Sequence, residues 1–430
     1  MTKSVSRTLI TLCTCAVSAF AADAAAEIKP VPEVNFLEIT KGLKAKLGIY
    51  IQTRAEAGRS TAPNGDEYSY SEGVTGKPDA FNVSLRRFRV GISGSYKDDL
   101  LYAFTLRNDN FGKPTGKNTA ATSKAGDTNK VEVHEAWMGT KLPVFDDGSV
   151  TLRAGKMLAF YNPAAARTAA MMFAGTRASA GLLNNSASGT GVSALLEKGI
   201  VKFGVDIENN LSNTSGNETQ EVREGVFTSA RLEINGMGDW GNKKWVESFA
   251  GDPGHGVTVG FEVGQNRDGL SPVAAAGPLP ATVMSTTTRA FGVDVLFHYD
   301  EISALLESRW QRVSNEYDSD KYGATDSEAR VFLAQVGYAI KTDIKWAKVL
   351  EPAVRITGID MNRDNASEGP SFGSGDYGAS GMQYEVGLNN YFAGHTNKLS
   401  LNFTRWVGEK DATGDHATAN IVRLQHQINF

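Results

Sequence analysis

The chain has 430 residues, 44 Lys plus Arg against 48 Asp plus Glu, and a net charge of −4. That mildly acidic balance argues against nucleic acid as a partner. Its two cysteines, Cys13 and Cys15, both lie near the start, so cysteine catalysis, thiolate metal sites and disulfide stabilisation are excluded for everything after them.

The opening residues read as an export signal. Lys3 and Arg7 form a basic region, residues 8–20 are apolar or small, and Ala19-Phe20-Ala21 offers small residues at the spacing a signal peptidase reads. The run is too short to span a bilayer, so residues 1–21 are expected to be a cleaved signal peptide. Residues 22–42, with Pro30 and Pro32, read as a periplasmic lead-in, and 43–430 as one barrel domain.

From residue 43 onward the dominant pattern is alternation with a period of two, the signature of strands with two different faces. Leu43, Ala45, Leu47, Ile49 and Ile51 oppose Lys44, Lys46, Gly48 and Tyr50. Phe88, Val90, Ile92 and Tyr96 oppose Arg87, Arg89, Gly91, Ser93 and Ser95, and Leu100, Tyr102, Phe104 and Leu106 oppose Ala103, Thr105, Arg107 and Asp109. Val201, Phe203, Val205 and Ile207 oppose Lys202, Gly204, Asp206 and Glu208. Similar segments follow at 257–263, 291–299, 302–310, 332–340, 350–356 and 399–403. The second face is repeatedly charged or small, as a watery lumen requires, and each segment is about the ten residues a tilted strand needs to cross a hydrocarbon core.

Connections alternate between short, as at Lys97-Asp98-Asp99 and around Gly199, and long, as at 108–130, 209–221, 265–285, 313–327 and 361–380. Short turns on one rim and long loops on the other fit an outer-membrane barrel. The chain closes on a strand with Val422, Leu424, Ile428 and Phe430 on one face and Arg423, Gln425, Gln427 and Asn429 on the other. Such a strand leaves a raw edge unless the sheet closes on itself. With 45 glycines, 20 phenylalanines and 13 tyrosines, the expectation is an all-β, antiparallel transmembrane barrel of about sixteen strands.

Several segments, in order along the chain, carry a likeness to a known family: Leu85-Arg86-Arg87-Phe88-Arg89-Val90-Gly91-Ile92-Ser93-Gly94, Leu152-Arg153-Ala154-Gly155-Lys156, Leu350-Glu351-Pro352-Ala353-Val354-Arg355-Ile356 followed by Asp360, Gly387-Leu388-Asn389-Asn390-Tyr391, and Val422-Arg423-Leu424-Gln425. Together they resemble the phosphate-selective porin O and P family of bacterial outer membranes. The resemblance implies a sixteen-stranded barrel, a homotrimer, one long loop folded into the pore, and recognition of Phe430 by the outer-membrane assembly machinery. It departs from the family in the loop 157–185, which is rich in Ala, with Arg167 and Arg177 its only charged residues, and in the weak match of Gly175-Thr176-Arg177. Glu351 and Arg355 project to one side, as do Glu307 and Arg309, so the lumen carries both signs and phosphate specificity does not follow.

Candidate pore-lining, anion-binding residues are Arg87, Arg89, Arg107, Arg153, Arg355 and Arg423 on lumen-facing parity, with Lys156, Arg167 and Arg177 flanking or occupying the loop. The planar guanidinium fork suits phosphate or carboxylate, and conduction needs binding weak enough to release the ion. The alternative is that these cations pair with Glu132, Glu233, Glu307 and Glu351 and merely solvate the lumen. Trp137, Trp310, Trp346 and Trp406 are expected in aromatic girdles. Gly369-Pro370-Ser371-Phe372-Gly373 matches a nucleophile-elbow pattern but lacks the strand and helix that elbow needs. Asp360, Asn362, Asp364 and Glu368 resemble only part of a calcium loop. The reading is a porin passing small hydrophilic or anionic solutes, with outer-membrane lipid around it, no catalytic residues, no cofactor and no metal.

Overall fold

The computed structural model describes residues 37–40, 42–61, 67–69, 80–111, 131–144, 146–159, 172–174, 189–209, 226–236, 248, 255–273, 282–317, 325–362, 380–410 and 416–429. The expected signal peptide and most of the lead-in lie outside these residues, as does the final Phe430.

Sixteen long strands follow one another. They are β1 (Leu43–Thr61), β2 (Ala80–Tyr96), β3 (Leu100–Phe111), β4 (Glu132–Val144), β5 (Gly148–Met157), β6 (Gly189–Lys198), β7 (Val201–Asn209) and β8 (Val226–Gly236). Then come β9 (Gly256–Val273), β10 (Thr282–Tyr299), β11 (Ile302–Tyr317), β12 (Thr325–Tyr338), β13 (Val349–Asn362), β14 (Gly381–Tyr391), β15 (Asn397–Lys410) and β16 (His416–Asn429). Each pairs antiparallel with its neighbours in sequence, and β16 pairs with β1 from Thr418↔Thr61 to Asn429↔Tyr50. That last ladder closes the ring, so the barrel has no free edge. Short strands at Leu37–Thr40, Glu67–Ser69 and Ile340–Lys341 add to its margins.

Burial runs opposite to that of a water-soluble protein. Leu306, Val386 and Val192 are more than half exposed, while Asp206, Glu351, Asn389 and Thr404 are fully buried. Strand alternation puts the apolar set outside and the polar set inside, the arrangement of a barrel whose outer face meets lipid rather than water. The expected alternations at β1, the 88–96 part of β2, β3, β7, β9–β13, β15 and β16 hold in this sense.

Bulges shift the register on β2 and β4, and again on β9 and β15. Gln52 on β1 pairs with Arg87, but Thr53 pairs with Leu85, leaving Arg86 as an extra residue on β2. Below it Phe88 and Ile92 face out; above it Val83 faces out and Ser84 is buried. A bulge moves every later side chain to the opposite face. On β4, His134 is the extra residue, since Thr105 pairs with Glu135 and Leu106 with Val133.

The short turns lie on one rim. Lys97 and Asp98 both have positive φ (50° and 65°), as the tight hairpin turns that match strand twist require. Lys44 Nζ reaches Asp98 Oδ1 at 2.7 Å across that rim. The connection 237–255 is the long exception on this side. Toward the other rim, strands run further than their polarity suggests. β9 extends to Val273 and β10 begins at Thr282, so the loop expected at 265–285 shrinks to 274–281; that expected at 313–327 shrinks to 318–324. Ser, Thr and Asn at strand ends look like loop in a sequence, yet their backbones continue the ladder.

The closing seam carries a buried ion pair: Arg423 Nε donates to Glu56 Oε2 at 2.6 Å, and Arg423 also donates to Thr404 Oγ1 at 3.1 Å. Breaking one half of a buried pair costs about 3–5 kcal/mol. Glu56→Ala should therefore lower the temperature at which the barrel unfolds in SDS gels, and Glu56→Ala with Arg423→Met should recover part of that loss. At the turn rim, the hydrogen bond from Lys44 and its charge hold the Asp98 carboxyl below its ordinary value. The contact stabilises the folded chain above the unfolded-state value and fades as pH falls through the folded value. In a carbon-detected NMR titration, Lys44→Met should raise the Asp98 midpoint.

Candidate pore lining

In a ring of sixteen strands, each strand faces the one eight places on. The inward charges of β1–β3 therefore look across the lumen at those of β9–β11, and the two sectors differ in chemistry.

The first sector is basic and in part open to water. Arg54 on β1, Arg87 and Arg89 on β2 and Arg107 on β3 all point inward and are half-buried. Arg87 Nη1 donates to Gln52 Oε1 at 3.1 Å. Arg89 pairs in register with Tyr50 and Arg107. Arg107 donates to the half-exposed Glu132 at 3.1 and 3.3 Å and sits 3.4 Å from His134 Nδ1. Arg54 donates to Gln425 Oε1 at 2.8 and 3.0 Å.

The facing sector is acid-rich and buried, with four carboxylates (Glu233, Glu262, Asp294 and Glu307) sharing two guanidiniums (Arg231 and Arg309). Glu262, Asp294 and Glu307 are at most 5% exposed. Arg231 on β8 donates to Glu233 at 2.8 Å, to Glu262 at 2.8 Å and to Asp294 at 2.7 and 3.0 Å. Arg309 pairs with Glu262 and, at 3.0 Å, with Glu307. Such a knot of charge is tolerable only when each group is paired. Gly260 and Gly292 make room for it, because a Cβ on either would overlap the Arg231 guanidinium or the Glu262 carboxylate.

The expected site residues divide accordingly. Arg87, Arg89 and Arg107 come together on the half-buried wall. Arg153 also points inward, donating to Ser193 Oγ at 2.8 Å, lying 3.8 Å from Asp206 and stacking over the Trp137 ring at 5.4 Å. Arg355 and Arg423 have the expected parity but are only 1% exposed. Arg355 is paired with Glu385, as Arg423 is with Glu56, so each serves as a structural counter-ion rather than as an open anion contact. Lys156 pairs in register with Ala136 and Thr190 near the end of β5, and the charges acting on it are Arg107 and Glu132 of the basic sector. Arg167 and Arg177 lie outside the described residues.

The acids offered as partners in the sequence are each engaged, and among the described residues Glu132 pairs with the expected site residue Arg107. Glu351 instead accepts from Tyr391 at 2.5 Å and Asn389 at 2.9 Å. Arg54 and Arg231 were missed, although both sit on the polar parity of alternating strands. Of the four tryptophans expected in girdles, Trp346 lies beyond a strand end and Trp310 lies mid-strand on the outer face of β11. Trp137 lies under Arg153 and Trp406 is buried on the inner face, so neither belongs to a girdle.

Of the connection between β5 and β6, residues 158–159 and 172–174 are described; the rest of the loop expected at 157–185 is not, save Met157 at the end of β5. Met172, Phe173 and Ala174 are buried to 5% or less, against the inner wall opposite their own strands. Asn389 Nδ2 on β14 donates to Met172 O at 2.9 Å, and Ala174 N donates to Asn402 Oδ1 on β15 at 2.7 Å. Arg54 donates to Ala174 O, and the Arg355 guanidinium lies 4.7 Å from the centre of the Phe173 ring. Met172 and Phe173 pack with Ala353 of β13. Ala159 packs on Phe227 and Ala290 across the acid-rich sector. Among the described residues no group of three or more His, Cys, Asp or Glu could hold a metal ion. The nucleophile-elbow pattern lies outside the described residues.

No protein-family model matches the chain, and no curated protein matches it in sequence. Solved structures do match it in shape. The outer-membrane channel DcaP of Acinetobacter baumannii aligns with a TM-score of 0.52 at 11% identity, covering 92% of this chain and 100% of its own. A loop L8 deletion mutant of OmpT, an outer-membrane protein of Vibrio cholerae, gives 0.51 at 13% identity, covering 90% and 99%. An anion-selective porin from Comamonas acidovorans gives 0.50 at 11% identity, covering 90% and 100%. At these identities the likeness is one of fold, and the chain has the closed-barrel fold shared by these outer-membrane channels.

Proposed function

We propose that the protein is an outer-membrane porin through which small hydrophilic solutes diffuse passively, with anions favoured. The observation that carries this reading is the unequal solvation of the two facing walls. Arg54, Arg87, Arg89 and Arg107 are half-buried, whereas Glu262, Asp294 and Glu307 are sealed into ion pairs with Arg231 and Arg309. Along the solvated wall a permeating ion therefore meets an excess of positive charge, diluted by Glu132 and Glu135. Arginines that are themselves hydrogen-bonded hold fixed positions and replace part of an anion's hydration shell while leaving it free to depart. No catalytic step is needed, and no cofactor.

On this reading the connection from β5 to β6 crosses the lumen, with Met172–Phe173–Ala174 as its anchor on the far wall, and narrows the path to the basic sector. The resemblance in sequence to phosphate-selective porins supports testing phosphate as cargo and a homotrimer as the assembled form, with Arg167 and Arg177 as further anion contacts.

Reversal potentials of the purified protein in planar bilayers under a KCl gradient test the function. Chloride preference is expected; cation preference would sink the anion reading, and absence of conductance the porin itself. A unit charge about 10 Å away in water is worth roughly 0.4 kcal/mol, about a twofold factor in ion population. Arg87→Gln with Arg89→Gln should thus lower chloride and raise potassium in the pore about fourfold each, reducing the chloride-to-potassium permeability ratio roughly sixteenfold at low salt, and Arg355→Gln much less. If the loop is anchored as proposed, Phe173→Ala combined with Asn402→Ala should enlarge single-channel conductance and add flicker. Unchanged traces would remove the loop from the conduction path.

A further inference from the structure

Of the connections on the turn rim, 237–255, which joins β8 to β9, is the longest. Its sequence is also unlike that of a solvated loop, since Ser248 stands in Trp245-Val246-Glu247-Ser248-Phe249-Ala250. Ser248 is fully buried, and its hydroxyl is hydrogen-bonded to that of Tyr391, the last residue of β14, on the inner wall. The two elements are not neighbours. Five strand spacings separate β9 from β14, about 30 Å along a wall of tilted strands. The seven residues from Ser248 to His255, just before β9, reach about 25 Å at most. A straight path inside the ring is shorter, and the Tyr391 side chain shortens it further. Ser248 therefore meets Tyr391 across the lumen and not along the rim.

Tyr391 is joined in turn to the anchor of the β5–β6 connection. Its hydroxyl carries one proton, which goes to Glu351 Oε2 at 2.5 Å, so the phenol oxygen is left to accept from Ser248. Asn389 Nδ2 donates both to Glu351 Oε2 and to Met172 O, each at 2.9 Å. Ser400 Oγ fixes Asn389 by donating to its Oδ1 at 2.6 Å. Gly337 leaves the space in which Met172 and Glu351 meet, because a Cβ there would lie 2.8 Å from each. Lys398 Nζ lies 5.8 Å from the centre of the Tyr391 ring, and the His395 ring packs edge-on against it. Solvent contact along the turn-side half of the wall agrees with this filling. Thr258, His298, Ser303, Ser400 and Gln427, inward on β9–β16, are at most 3% exposed, whereas Lys46, Ser93 and Lys141, inward on β1–β4, are exposed.

We propose that Tyr391 is a positioning residue that holds two connections, one from each rim, on the same wall. Ser248 is thereby kept inside the lumen, a second narrowing lies on the turn side of Met172, and the path left for solute runs along β1–β4. The consequence for permeation rests on the porin reading; the contact itself does not. A path narrowed twice selects by size, so small inorganic anions pass and bulky organic anions such as gluconate are held back.

The test uses the purified full chain in planar bilayers, with potassium chloride on one side and potassium gluconate on the other. A hydrogen bond is worth roughly a fivefold change in the ratio of held to released states. Ser248→Ala and Tyr391→Phe should each raise gluconate permeability relative to chloride by about that factor. The chloride-to-potassium ratio should stay at its original value, because no charge is altered. The double variant should match Tyr391→Phe, since each single change removes one end of the same bond. Unchanged gluconate permeability in Ser248→Ala, or multiplied gains in the double variant, would overturn the proposal. Tyr391→Phe also deprives Glu351 of a donor. If it does not fold, Ser248→Ala decides alone, because that side chain lies outside the strands. Trypsin reads the contact without conduction: cleavage after Lys243 or Lys244 should run about fivefold faster in Ser248→Ala, and equal rates overturn the assignment. A silent channel that shows this difference supports the contact and counts against the porin reading alone.

Discussion

Everything in this molecule follows from the need to leave no backbone group unpaired on a sheet whose outer face is apolar. Water is not there to satisfy an open edge, so the first and last strands must find each other. The ladder from Thr418↔Thr61 to Asn429↔Tyr50 does this, with Arg423 and Glu56 meeting across the seam. Closure in turn forces every second side chain into a common interior. The polar residues there have to be solvated by water or by one another, and the protein uses both means in different sectors.

Around β8–β11 the interior solvates itself. Arg231 and Arg309 are each shared among carboxylates, and two glycines leave the volume the cluster needs. Around β1–β3 the charges hold looser company and keep contact with water. The tripeptide Met172–Phe173–Ala174 borders that second sector, receiving Arg54 on its carbonyl while Phe173 lies beneath Arg355. A short apolar segment thus covers Arg355 and accepts from Arg54, touching both kinds of arginine. Arg267, Arg289, Arg312 and Arg330, outward and exposed on β9–β12, add a third setting for the same side chain, outside the wall altogether.

The period of two is a backbone property, so the barrel and the inward parity of Arg87, Arg89, Arg107, Arg153, Arg355 and Arg423 were legible in the sequence. Their differing roles were not. Arg355 and Arg423 look no different from Arg87 until the elements packed against them are known, and those come from strands or loops far away in sequence. Strand length was also misjudged, because Thr, Ser and Asn above the apolar band read as loop while still pairing. That error carried over to the tryptophans. Trp310 stands mid-strand on the outer face of β11, and Trp137 and Trp406 lie on inner faces, where strand ends had been supposed. Arg54 carried a readable signal, the parity it shares with Lys44 and Lys46, that went unused.

The extra residue on β2 gives the barrel a property that its regular strands lack. Because Arg86 stands outside the ladder, a one-residue insertion or deletion at that point would exchange the inward and outward sets of the upper strand while leaving strand number and diameter untouched. Side chains near the rim are thereby uncoupled from those at mid-wall. Among related barrels, variation in the upper part of this strand can proceed by single-codon slippage at one site, without any substitution in the arginines below it.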